Sequence, residues 1–245
     1  MKQVLIGIGL AVGLIGAATA AVNCNSFPNN TVNSFVNDDV VAEGYSCTIA
    51  STGTVNGNLI QTGNGSLMIR GSINGAVSES GAGDVTVVNG GNVGGDISEA
   101  DAGNISLRGG SIVNGGIEEA GDGSVTVAAD IPGLLKGDII ESGNGGVTVR
   151  AITGSFEGSV IETGPGNVTV SVSAGVSFKG TVEEYDGGGV MATVDGLFEG
   201  NLTEHLGGNV VTSGAGTFKG NSEHELSGAC TNTIIDFQGA ACTLL

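Results

Sequence analysis

Seven glutamates occupy one place in seven consecutive repeats: Glu79, Glu99, Glu119, Glu141, Glu162, Glu184 and Glu204. Gln61 takes that place before them and His224 after them. A row of carboxylates supports three kinds of chemistry. It can bind a hard cation: Ca²⁺ takes about 6–8 oxygen ligands, which stacked carboxylates and turn carbonyls would supply. Two of its members can act as acid and base if they flank a scissile bond. Or each carboxylate can accept backbone N–H groups that a turn leaves unpaired. Every Glu precedes a Gly-rich turn such as SGAGD, AGDGS, SGNGG or TGPGN, so the turn reading leads. It places each Glu at a corner, because an unbroken strand would point the side chain into the core. The calcium reading names the same seven residues as a metal ladder. The turns depart from a Gly-Gly-x-Gly-x-Asp calcium repeat: Asp84 follows Gly83 directly, and other turns carry Asn or Ser there. Sevenfold repetition argues against a single acid–base pair. Carboxylates ~4.8 Å apart in water repel by about 0.9 kcal/mol per pair, so something must compensate.

The elements that position this row are repeats. Anchored on Gly57, Gly75, Gly95, Gly115, Gly137, Gly158, Gly180, Gly200 and Gly220, the spacings are 18, 20, 20, 22, 21, 22, 20 and 20. Two residues after each anchor but the last stands Leu, Val or Ile, from Leu59 to Leu202. Ten and twelve after it stand further apolar residues, as in Val85 and Val87, with Thr86 between them. That alternation, in β-branched residues, is the strand signature. Two before the anchor stand Ile73, Val93, Val113, Leu135, Phe156, Phe178, Phe198 and Phe218. Short strands at a period near 20 predict an all-β, single-domain parallel β-helix of nine to ten coils of 18–22 residues. The drifting period favours a right-handed helix over the strict six-residue left-handed form. Nine coils at ~4.8 Å each make a rod roughly 43 Å long. Just before the anchors, Lys136, Glu157, Lys179, Glu199 and Lys219 alternate in sign, a cross-strand charge ladder that supports the register.

The 245 residues include 47 Gly, 25 Asp and Glu, and only seven Lys and Arg, for a net charge of −18. So negative a surface repels nucleic acid and anionic lipid. The opening MKQVLIGIGLAVGLIGAATAAVN has a basic start, an apolar run and an Ala18-Thr19-Ala20 cleavage pattern. It reads as a signal peptide over residues 1–20, and no later segment is long and apolar enough to span a membrane as a helix. The expected location is secreted or cell-surface, with the periplasm as a variant. Cys24, Cys47, Cys230 and Cys242 lie in pairs near the two ends, as disulfides of an exported chain do. Pairing Cys24–Cys47 and Cys230–Cys242 is local; the other two pairings would tie together the ends of an elongated array. Residues 21–46 and 228–245 are expected to cap a repeat region over 47–227.

Carbohydrate-active β-helices, lyases and hydrolases, need clustered carboxylates with a basic residue in a groove built by long loops. Coil length here varies by only four residues, and only two Tyr offer sugar stacking. His205 and His224 fall near the glutamate row as polar turn residues. Arg70, Arg108 and Arg150 share one column in alternate coils, a ladder pattern. Ice binding would need a paired Thr array, and the column Thr86, Ser106, Thr126, Thr148 and Thr169 is single. The phrases GSFEGSV, VSFKGTV, LFEGNL and GTFKGN resemble the coils of bactofilins over roughly residues 55 to 225. That resemblance implies a solenoid able to assemble end to end; the signal peptide, longer coils and terminal cysteines depart from it. The sequence thus reads as a non-enzymatic structural or interaction rod: a stalk, fibre subunit or adhesin-like module. Its partners would be copies of itself or an extracellular surface or polysaccharide. No cofactor is expected beyond Ca²⁺ on the glutamates.

Overall fold

The computed structural model describes residues 21–129, 135–224, 228–240 and 242–244. The signal-peptide reading of residues 1–20 therefore lies outside the described residues. The chain winds into a three-faced β-solenoid in which strands pair in parallel with their equivalents in adjacent coils. The first face is a 12-stranded sheet running from Val22–Asn23 to Thr243–Leu244. The second is an 11-stranded sheet from Thr31–Val32 to Cys230–Asn232. The third is split into a five-stranded sheet, Phe35–Val36 through Ile112–Val113, and a six-stranded one, Leu135–Lys136 through Asp236–Gln238.

The register follows the sequence columns. Val77 pairs with Leu59 and Ile97, and Val85 pairs with Leu67 and Ile105. The strands turn their column Val, Ile and Leu residues inward, and stacking similar shapes excludes water from a continuous core. The rod changes width along its length. Second-face strands are three residues long at Leu67–Ile69, Val85–Val87 and Ile105–Leu107, and five residues long at Val125–Ala129, Val147–Ala151, Val168–Val172 and Val190–Val194. The added inward position holds Ala151, Val172 and Val194, all buried. In the same half the third face changes from Ile and Val to Phe. Phe156, Phe178, Phe198, Phe218 and Phe237 stack with centroids 4.6–4.7 Å apart, one ring per coil, filling the wider cross-section. Outside that stack, Glu199 lies between Lys179 at 3.7 Å and Lys219 at 3.2 Å.

Segment 21–46 joins the ladder rather than sitting outside it: Val22 and Asn23 pair with Val40 and Val41, and Thr31 and Val32 with Thr48 and Ile49. Between those strands, the 3₁₀ turns Cys24–Ser26 and Pro28–Asn30 cross the end of the rod, and Phe27 packs against the core. The disulfides are the local ones, Cys24–Cys47 and Cys230–Cys242. Cys47 and Cys230 continue the core column, in register with Leu67 and Val210. The two bridges differ in access. Cys24 and Cys47 are buried, whereas Cys230 and Cys242 are half-buried. Under mild reductant Cys230–Cys242 is expected to open first, because thiolate attack needs access. Alkylation followed by mass spectrometry reads the order, and prior opening of Cys24–Cys47 would contradict the described cap. Each bridge is worth about 2–4 kcal/mol to its end of the rod.

Candidate functional site

The glutamate row is a straight column on the first face. In register stand Ala42, Gln61, Glu79, Glu99, Glu119, Glu141, Glu162, Glu184, Glu204 and His224. The corner is where the sequence places it, since each Glu closes its first-face strand or stands one residue from its end, just before the Gly-rich turn. The expectation that parity breaks there is overturned. Ile97, Ser98 and Glu99 alternate in, out, in, so the side chain points inward. All seven glutamates are 0–1% exposed.

The inward direction has a physical reason: the turn curls over the strand end and aims its N–H groups inside the bend. Glu119 Oε1 accepts from Gly121 N–H at 2.9 Å, Glu141 from Gly143 at 3.0 Å and Glu162 from Gly164 at 2.7 Å. Glu99 accepts from Asp101 and Glu204 from Leu206 in the same way, and Glu184 takes both Asp186 and Gly188. One oxygen of each of these six carboxyls is thus satisfied as the turn reading requires.

The other oxygen is not. Oε2 of Glu99, Glu119, Glu141, Glu162, Glu184 and Glu204 is buried without a donor. Two ionised neighbours offer only acceptors to each other; a proton on one of them makes an O–H···O bond. Burial pushes the Glu79 and Glu119 carboxyls up to about 8, and the hydrogen bonds they make to neighbouring glutamates add to the shift. Burial likewise raises Glu162 to about 9, with hydrogen bonds to Glu141 and Glu184 contributing. The protonated form is thus favoured at Glu79, Glu119 and Glu162, with Glu119 and Glu162 placed to bridge the carboxyl groups on either side and Glu79 to reach Glu99. Protons supply the compensation that a stack of like charges demands. Gln61 is a fixed version of the same arrangement, its amide donating to the Gly63 carbonyl at 2.9 Å.

For a cation the column offers one unpartnered carboxyl oxygen per coil from Glu99 to Glu204 and two at Glu79. Among the described residues, no group of three or more His, Cys, Asp and Glu side chains is arranged to hold a metal ion. A substrate outside the rod does not touch the glutamates. His205 stacks on Tyr185 with centroids 4.2 Å apart, and His224 continues the column above Glu204. The sequence reading missed two sets of residues. Asp39, Asn58, Asp96, Asp138 and Asn201 each accept the N–H of the residue that follows the corner in the next coil. Asp84, Asn104, Ser124, Asn167 and Asn209 do the same at the glutamate corner. Their identities vary, so they do not stand out as a column; an acceptor oxygen of short reach is their common property.

No family model, curated protein or solved structure matches this chain, so its likeness to bactofilin coils rests on the FEG and FKG phrases alone. Among the described residues no helix is long and apolar enough to cross a membrane.

Proposed function

We propose that this chain is an exported structural rod that works through its outer faces, as a stalk, fibre subunit or adhesin-like module. One observation carries the reading: the seven residues best able to do chemistry are sealed inside the solenoid, where they hold coils together. The outside is built of flat, repeating ladders, which suit display and contact over length. Two disulfides at the ends fit an oxidising compartment.

Sedimentation velocity on the oxidised mature chain tests this, run once with Ca²⁺ and once with a chelator. A single elongated species in both supports a rod whose ends are closed and whose glutamates need no metal. Large species lost in chelator would make the column a calcium site, and a compact, near-spherical species would sink the rod. End-to-end assembly is a second reading, favoured by the C-terminal end. There Phe237 closes the ring stack, Ile235 is 83% exposed, and among the described residues the last strand of each sheet is paired on one side only, an edge another chain could extend. Large species that persist in chelator are its signature.

A further inference from the structure

The mature chain's basic residues fall into two columns that are handled in opposite ways. On the third face Lys136, Lys179 and Lys219 alternate with Glu157 and Glu199, coil by coil. All three arginines of the chain, Arg70, Arg108 and Arg150, stand in one column of the second face. Their backbones are in register through Val88 and Ala128 in the intervening coils: Arg70 and Val88 hydrogen-bond into the preceding coils as Arg108 does, and Ala128 pairs with Arg150. The device that neutralises the lysines was open to the arginines, and it is not used. The intervening residues are small and apolar, the arginines are exposed, and none has an ion-pair partner among the described residues.

The rest of that face agrees. The chain carries 25 Asp and Glu, yet among the described residues no strand of the 11-stranded sheet contains one. Beside the arginines runs the outward hydroxyl column Thr86, Ser106, Thr126, Thr148 and Thr169. A depression of about 440 Å³ crosses from Arg70 to Arg108 over Val88, with Met68, Thr86 and Asn89 on its floor and sides. From Arg70 to Arg150 the face is a hydroxylated strip with an exposed arginine in every second coil.

We propose that this strip binds an extended anionic polysaccharide carrying one carboxylate per disaccharide. The inference rests on the reading of the chain as a surface rod and names its partner. Guanidinium forks suit carboxylates, and the hydroxyl column faces the sugar hydroxyls. Spacing selects the ligand. Two coils separate the arginines by ~9.6 Å, whereas alternate side chains of an extended peptide repeat at ~6.7 Å. Nucleic-acid phosphates along one strand repeat at ~3.4 Å, about a third of the arginine spacing. An extended β-linked disaccharide is of the length required.

The test is affinity electrophoresis of the oxidised mature protein in gels containing hyaluronate, whose carboxylate recurs on every second sugar, or neutral dextran. Two variants are compared with the wild type: the triple Arg70→Gln, Arg108→Gln, Arg150→Gln, and the charge-neutral shift Val88→Arg with Arg108→Val. Circular dichroism and sedimentation check that each is still a rod. The expected result is retention by hyaluronate but not dextran, at least tenfold weaker in the triple variant and clearly weaker in the shifted one. Absence of retention, or equal retention of wild type and triple variant, overturns the proposal. So does equal retention of the shifted variant, which would mean charge without spacing. Shortening of the recovered hyaluronate would instead overturn the non-enzymatic reading.

Discussion

Raising the pH from 6 to 8.5 is expected to destabilise the folded chain, with the transition temperature falling throughout. Glu79, Glu119 and Glu162 have folded pKa values near 8, 8 and 9 against an ordinary value of 4.5. A raised carboxyl pKa means that the folded state holds the proton more tightly than the unfolded state. The stability this contributes is complete below about 4.5 and is lost as pH rises through 8 to 9. One net proton retained by the folded column is worth about 1.4 kcal/mol per pH unit, or roughly 3.5 kcal/mol over this window. For a chain of this length that is roughly 7 to 14 °C. The window separates the column from the surface, because exposed carboxyls titrate below it. Glu119→Gln keeps a donor and an acceptor where the protonated acid has them, as Gln61 does naturally, and should flatten the slope while preserving the fold. Calorimetry of both proteins across the window decides. A transition temperature that stays level or rises with pH would mean that the column does not share protons.

Gly145→Ala should cost more than about 4 kcal/mol, in the range reserved for core disruption. The reason is the distance between coils and not the flexibility of the turn. A Cβ at Gly145 would lie 1.5 Å from the Gly123 carbonyl oxygen, and one at Gly123 would lie 1.6 Å from that of Gly103. The conflict recurs at Gly166, Gly188 and Gly208, each at 1.4–1.5 Å. This glycine column lets the turn of one coil rest on the turn below while a turn N–H still reaches the glutamate of its own coil. Backbone on both sides of the clash leaves nothing to yield, so the stack must open locally. Gly116→Ala is the control: its Cβ would come no closer than 3.3 Å to the Asp138 carbonyl, and a change within about 1 kcal/mol is expected. Thermal unfolding of the two variants, with limited proteolysis to locate the opening, compares them. Near-equal stability would contradict the close stacking of the turns.

By itself the sequence determined the solenoid. Its apolar columns are periodic, parallel stacking places equivalent residues one above the other, and so Phe156, Phe178 and Phe198 could be counted into one stack before any coordinates. The local disulfides followed from the same geometry. The glutamates were legible as a column and as partners of turn amides, but not in direction. Parity along the strand pointed them inward, solvation of a charge argued for outside, and only the folded turn shows how a buried carboxyl can be satisfied. Burial itself favours the protonated form, which removes the charge that made burial look prohibitive, and hydrogen bonds to neighbours one coil away add to the effect. The glycines were legible as turn formers, whereas the tight approach that demands them lies between residues about 20 apart in sequence. The arginine column was visible as a ladder. That no described residue forms an ion pair with it, on a face whose described strands carry no carboxylate, was decided by the tertiary structure, because a sequence column gives identity and spacing, while pairing depends on what lies beside it in space.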